Sequence, residues 1–384
     1  MFRLFLIFLK IGVTTWGGFM TFIAVVSRSL TARNLVTEAD ITDAILVASV
    51  LPGPVAVDMT VAIGYRLRGL RGAAVCWLGS VLPSFVVVTA LGVAYLTYGS
   101  LPAVNSIFQG FPAAMVAIVA SAAFQMGRNQ IKNLQQIIIA ALAALAIIFI
   151  PQWWVTFTVV LAAGLAGWLL YRDAAKPRAA AATAPQPPRK TFSIAPFAVL
   201  LFPVFGAAIV WKIFATFAVM SLTLFGSGYV FIPIIKNALV GGLGWLTAKE
   251  FTAGLALTQI TPGPILMTSA FVGLKVAGIP GALAGMLGMF VPPALLTVVA
   301  AHSLQAIKDS SAVTAALRGV RPAVVGMIFA ASIVVGQTMP HDTPLHLGAS
   351  LAILAGALLA LFRFKIDVAL IIPLAGAAGF VLFR

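Results

Sequence analysis

The chain has 384 residues, 61% of them hydrophobic and only 9% charged, with a mean hydropathy of +1.09. A soluble domain carries roughly 25% charged residues, so this composition cannot coat a water-facing surface and suits lipid as its solvent. The 24 Lys and Arg against 9 Asp and Glu give a net charge of +15. The basic residues cluster between apolar runs, as in loops facing anionic lipid, which argues against nucleic acid as the partner.

A membrane-spanning helix needs ~20 apolar residues. The first such run, about 4–25, lacks the basic start and small-residue cleavage site of a secretory signal and is expected to be a span. Further spans are expected over about 73–98, 102–125, 134–150, 153–171, 193–211, 214–235, 281–303, 313–335, 345–362 and 366–383. Two more apolar stretches, 44–65 and 254–274, contain Pro52-Gly53-Pro54 and Pro262-Gly263-Pro264. Residues 172–192 are polar, basic and rich in Pro and Ala, the composition of a flexible linker.

The linker separates two copies of one repeat. Phe8, Trp16-Gly17, the first Pro-Gly-Pro, Gly69, Gly72, Gly79 and Pro83 align with Phe217, Phe225-Gly226, the second Pro-Gly-Pro, Gly278, Gly281, Gly288 and Pro292, at an offset of 209 or 210 residues. Thr37-x-x-Asp40 and Thr247-x-x-Glu250 both read as capping boxes opening a helix. The expected fold is an all-α polytopic membrane protein with repeats over 1–171 and 213–384, joined by a cytoplasmic linker (172–192) and a connecting helix (193–212). If the Pro-Gly-Pro segments cross the membrane, the repeats are inverted; if they re-enter, the count of crossings makes the repeats parallel. Lys and Arg outside the spans divide 16 to 5 in either case, so charge does not choose. Inversion is favoured as a common transporter plan.

Two prolines around a glycine stop a helix, because each lacks an N–H and clashes with the preceding turn. In hydrocarbon such a break is tolerated only against protein or a wet cavity. The helix starts that follow, at Val55 and Ile265, present N–H donors and a positive dipole end suited to an anion. A kink that only permits packing is the plainer alternative. The glycine clusters Gly17-Gly18 and Gly226-Ser227-Gly228 suit close helix packing or room beside the breaks, with Thr14, Thr15 and Ser227 adding hydroxyls. Asp58, four residues after Pro54, is an intramembrane carboxylate and thus a candidate coupling residue, or a structural partner for a buried Arg or backbone group. Thr258, Gln259 and Thr261 precede the second break, and the matching Ala48, Ser49 and Leu51 are poorer in donors. Arg321, beside Pro322, is a candidate counter-charge for an oxyanion, or snorkels to the interface. His302, His341 and His346 have no carboxylate cluster at ligand spacing, so no metal is expected. Cys76 is the one cysteine, which excludes an internal disulfide. No Walker A motif and no nucleophile with its base is present, so neither an ATP-driven pump nor an enzyme is expected.

The run LTLFGSGYVFIPII, then WLTAKEF, then TQITPGPILMTSAFVGLKVAGIPGALAGMLGMFVPP, resembles the chromate transporter (CHR) family. TTWGGFMTFIAVV, TEADITDA and VLPGPVAVDMTVAIGYRLRGLRGA repeat the order in the first half, and GVRPAVVGMI fits as well. The resemblance implies a two-domain carrier of a bacterial or archaeal inner membrane that extrudes chromate and handles sulfate. It departs from the family pattern at Phe19, where a third glycine is usual, and at Asp58, where Asn or Gln is usual; a carboxylate there repels a dianion unless protonated or paired. The expected function is export of a tetrahedral oxyanion by alternating access with proton coupling. The alternatives are a sulfate or other anion importer and an uncoupled, channel-like protein. The expected partners are the oxyanion and the bilayer, with a homodimer as the oligomer to test; no cofactor and no nucleic acid are expected.

Overall fold

The computed structural model describes residues 1–15, 19–150, 152, 154–172, 208–225, 228–302 and 310–383. Nearly all of the expected linker and the connecting helix as far as residue 207 lie outside the described residues. All regular structure among the described residues is helical. The first half holds α1 (Phe2–Thr14), α2 (Phe19–Thr31), α3 (Glu38–Val50), α4 (Val55–Tyr98), α5 (Pro102–Gln109), α6 (Phe111–Gln130), α7 (Leu134–Phe149) and α8 (Val155–Tyr171). The second holds α9 (Ala208–Leu222), α10 (Gly228–Gly242), α11 (Ala248–Gln259), α12 (Thr268–His302), α13 (Ser311–Gly336), α14 (Pro344–Phe362) and α15 (Val368–Leu382). Among the described residues, five stretches are long and apolar enough to cross a membrane. The boundary expected at 212/213 falls inside α9, which runs through it unbroken.

The long helices are folded back on themselves. Gly69 in α4 has φ 63° and ψ −151°, and Gly278 in α12 has φ 62° and ψ −153°, a region essentially reserved for glycine. In a straight helix residues twenty apart would be about 30 Å apart, yet Ser80 Oγ lies 3.3 Å from Thr60 Oγ1. Gly64 likewise abuts Gly72, and Gly273 abuts Gly281, so close that a side chain at any of them would strike the opposing backbone. Each long helix is therefore a short arm, then a sharp turn, then a long arm running back beside it.

The short arms pair with α3 and α11. Arg66, near the end of the short arm of α4, reaches Asp40 in the first turn of α3 at 2.5 Å. Lys275 reaches Glu250 in the first turn of α11 at 2.7 Å. Both capping boxes form, so Asp40 and Glu250 each cap a helix and close a hairpin base. The thirteen residues of α3 span about 20 Å against a hydrocarbon core of about 30 Å. Each Pro-Gly-Pro is thus the tip of a re-entrant hairpin.

The hairpins enter from opposite ends of the bundle. Gly92, near the far end of α4, packs against Phe271 and Leu274 in the short arm of α12, and the Tyr95 and Phe271 rings lie 5.9 Å apart. Val298, near the far end of α12, clusters with Val61 and Ala73 against Tyr65 and Leu70 at the first hairpin's base. The repeats are therefore inverted and their breaks re-enter, a combination that counting crossings had ruled out. The count failed because it took every other apolar run as one crossing. The run at 4–25 is instead two helices of 13 residues each, α1 and α2, and 214–235 likewise divides between α9 and α10.

The halves are interlaced. α7 and α8 pack on α13 of the other half, with Gly326 against Ala140 and Gly167 against Gly319. In return α14 and α15 pack on α5 and α6, with Gly110 against Ala375 and Ser106 Oγ donating to Phe383 O at 3.0 Å. Small residues at each crossing allow this approach, while Leu142, Leu165, Leu359 and Leu374 face outward as a lipid-facing surface does. A Cβ at Gly69 would meet nothing within 4 Å, so the cost of Gly69→Ala is backbone strain alone, about 1–3 kcal/mol. The variant is expected to lower the melting temperature of the purified protein by a few degrees in a thermal unfolding assay; an unchanged value would show that the turn relaxes.

Candidate substrate site

The breaks leave backbone donors at the tips. α3 ends at Val50, and α4 restarts at Val55 with Val57 N and Asp58 N donating to Pro54 O at 2.8 and 3.0 Å. The N–H groups of Val55 and Ala56 precede the first bond of this helix and point out of its end. In the second repeat a 3-10 turn, Ile265–Met267, leads directly into α12 and starts the helical run, and Met267 N donates to Pro264 O at 3.0 Å, which leaves Ile265 and Leu266 in the same position. Each tip is covered by the other half. Gly53 N donates to Leu224 O at 2.7 Å, and Gly53 sits against Pro293, while Gly263 sits against Ser84. Ser84 and Pro293 are equivalent positions, at the repeat offset of 209.

A small cleft of about 50 Å³ lies between the tips. The first repeat lines it with Thr15, Phe22, Pro54 and the start of α4. The second contributes Gly228, Tyr229, Gln259, Gly263, Pro264 and the helix start at Ile265. Two helix N-termini from opposite halves thus face a common space, and their partial positive charges add there. None of the residues lining the cleft is charged.

Of the residues singled out in the sequence, Pro54, Val55, Gly228, Gln259, Gly263, Pro264 and Ile265 line the cleft. Pro52, Gly53 and Pro262 are not among its lining residues. Thr258 and Thr261 turn away: Thr258 Oγ1 bonds Leu255 O at 2.8 Å and Thr268 Oγ1 at 3.1 Å, and Thr261 Oγ1 donates to Thr258 O at 2.9 Å. Gly17, Gly18 and Gly226 lie outside the described residues. Arg321 is exposed on α13 and does not line the cleft. It follows a tight crossing with α8 at Gly319, so the helix face that carries it is fixed by packing.

Asp58 is fully buried, and among the described residues neither carboxylate oxygen has a hydrogen-bond partner. It sits behind the first tip, where a side chain on Gly53 would strike both Asp58 and Pro293. Among the described residues no cation pairs with it, and Arg66 pairs with Asp40 instead. Tyr229 was not foreseen from the sequence. Its signal was its place directly after the Gly226-Ser227-Gly228 cluster, where an aromatic hydroxyl is unlike the neighbouring residues.

Inverted repeats with re-entrant tips meeting at one mid-membrane cleft define a membrane transport protein of the inverted-repeat class. The chain belongs to the chromate transporter family, whose profile matches residues 2–168 and 211–380. It is 31% identical to a probable chromate transport protein of Synechococcus elongatus over 97% of this chain and 93% of that one. It is 30% identical to the chromate transport protein of Cupriavidus metallidurans over 99% and 93%. It is 32% identical to that of Pseudomonas aeruginosa over 99% and 92%. No solved structure matches it.

Gly53 has φ +140° and Gly263 φ +121°, both against side chains of the other half. Gly53→Ala and Gly263→Ala are each expected to abolish transport while the protein still reaches the membrane, checked by flux and by quantifying the membrane fraction; normal flux from both would show that tip geometry is not required.

Proposed function

We propose that the chain is a secondary carrier that exports chromate, a tetrahedral oxyanion, by alternating access. The observation that carries this reading is the convergence of two helix N-termini, at Val55 and Ile265, on one cleft reached by hairpins from opposite ends. The relatives named as chromate transport proteins support the choice of substrate. The donors suit any tetrahedral dianion, so sulfate is the competing substrate. Dipoles without a fixed cation favour entry of the anion yet also permit its release.

A proton on Asp58 is the coupling ion in this reading. The carboxyl sits where no cation neutralises it, one turn behind the substrate donors, so its charge and that of a bound dianion oppose each other across a short distance. Binding of the anion and protonation of Asp58 then favour one another, so the two travel together as a species of lower negative charge, with export driven by an interior-negative membrane potential rather than by proton entry.

Charge supports an orientation. The end holding the first hairpin's base carries Arg28, Arg33, Arg66, Arg68 and Arg71, and the α6, α8 and α14 termini there add Arg128, Lys132, Arg172, Arg363 and Lys365. The opposite end carries Lys236, Lys249 and Lys275. The positive-inside rule makes the first end cytoplasmic, with the linker that begins after Arg172, in a bacterial or archaeal inner membrane.

Three experiments test the reading. In cells grown in chromate, wild type is expected to protect while well-expressed Pro54→Ala and Pro264→Ala do not; sensitisation by wild type would reverse the direction, and full protection by both variants would make the breaks structural only. In proteoliposomes, Asp58→Asn is expected to abolish stimulation of chromate flux by a pH gradient; gradient-driven flux at the wild-type level would remove Asp58 from coupling. With Cys76→Ser as background, cysteines at Arg28 and Arg363 are expected to label only from the cytoplasm and one at Lys249 only from outside, and the reverse pattern would invert the orientation.

A further inference from the structure

We propose that the two tips carry equivalent latches, of which the second stands open across the cleft, and that its donor, the Gly263 N–H, holds the anion until the carbonyl of Thr15 takes that donor over. This rests on the cleft being an anion site. It names a donor there beyond the helix starts, and the group that competes with the anion for it.

The closed latch belongs to the first repeat, where Gly53 N donates to Leu224 O at 2.7 Å. At the repeat offset Gly263 corresponds to Gly53, and Thr15 corresponds to Leu224. The parts are built alike. Thr15 directly follows α1 and Leu224 lies two residues after α9, and the last carbonyls of a helix lack a partner within it. Each of these residues turns its own N–H back into its helix, Thr15 to Ile11 O at 3.0 Å and Leu224 to Ser221 O at 3.4 Å. The two glycines share one unusual backbone region, at φ +140° and +121°. Yet no bond joins Gly263 N to Thr15 O, and among the described residues no backbone carbonyl accepts from Gly263 N. Both Gly263 and Thr15 line the cleft, whereas Gly53 and Leu224 are not among its lining residues. The halves therefore differ in apposition and not in local fold: one latch is shut, and the cleft parts the other.

A backbone N–H at membrane depth needs an acceptor, and a tetrahedral dianion offers one at every corner. With the second latch open, the Gly263 N–H joins those of Ile265 and Leu266 as a donor to the anion. Closing the latch gives that donor to Thr15 O and weakens the hold of this tip. In inverted repeats, an exchange of arrangement between the halves moves the opening from one membrane face to the other. Shutting the second latch while the first opens is that exchange, and the Gly53 N–H then becomes the donor for the other side.

The plainer reading is that water in the cleft serves the Gly263 N–H and that its bond to Thr15 never forms. Two measurements on the full chain in proteoliposomes separate the readings. Replacing Gly263 by glycolic acid, through nonsense suppression, exchanges the N–H for an ester oxygen and adds no side chain. It is expected to raise KM for chromate about tenfold, the loss of one hydrogen bond to a charged group; a wild-type KM would overturn the proposal. In a Cys76→Ser background, Thr15→Cys with Ile265→Cys reports the second latch to a short bifunctional thiol reagent, and Leu224→Cys with Val55→Cys reports the first. The first pair is expected to cross-link at rest and the second only once chromate and a membrane potential are applied. With all four cysteines present, no molecule is expected to carry both cross-links. Molecules with both, or a second pair that stays apart under chromate and potential, would overturn the exchange. A wild type without saturable chromate flux would reject the carrier reading itself, a failure distinct from either.

Discussion

Two prolines flanking a glycine strip a helix of donors at a depth where no water can replace them, and much of the architecture follows from covering that break. Neither repeat closes its own tip. The first is closed by Leu224 O and the face of Pro293, and the second rests on Ser84. Because these cover residues lie on the other half, each half is incomplete alone, which gives a physical reason for the exchange of α7 and α8 against α14 and α15. An unsatisfied backbone group in hydrocarbon costs several kcal/mol, so closure of the first tip by Leu224 O adds to the apolar packing that holds the halves together.

Duplication keeps the backbone equal and lets the side chains diverge. The glycine turns at Gly69 and Gly278 agree within a few degrees, and the hairpin bases carry ion pairs of the same sense. Around the cleft the halves differ: Asp58 faces Thr268 in the alignment, Ser84 faces Pro293, and Gln259 faces Ser49. The dipoles depend on backbone and so survive in both copies, whereas a proton carrier would need a particular side chain, and Asp58 has Thr268 as its counterpart. On the proposed reading, symmetry supplies the two orientations of the carrier and asymmetry supplies its chemistry.

The repeat, the helical class and the broken tips could be read from the sequence because glycine and proline have few uses in a membrane helix, and their spacing recurs at one offset. Re-entry could not. An apolar run of twenty residues reads the same whether it crosses once or doubles back, and the decisive contacts, Asp40 with Arg66 and Glu250 with Lys275, join residues some 25 positions apart. Arg321 drew attention as a cation beside a proline in an apolar run, but which face of α13 it occupies is set by packing against α8. Thr258 and Thr261 were chosen for their hydroxyls, and a hydroxyl in a helix end most readily bonds the carbonyl three or four residues back, which is what both do.

On the proposed reading, the same features constrain how access would alternate. Each hairpin is held at its base by a half-exposed ion pair, a contact worth at most about 1 kcal/mol, and by apolar packing between its arms, so it moves as a unit more readily than it opens. The turn joining it to the long arm is glycine in open space at Gly69 and nearly so at Gly278. Across the interface, the first tip meets the other half through a single backbone hydrogen bond and the smooth flank of a proline, and the second meets the small side chain of a serine. A rigid body, a free pivot and a contact surface with few directional bonds are the elements of a rocking or sliding hairpin. On that view the hydrogen bond from Gly53 N to Leu224 O is what holds the first tip in the state described.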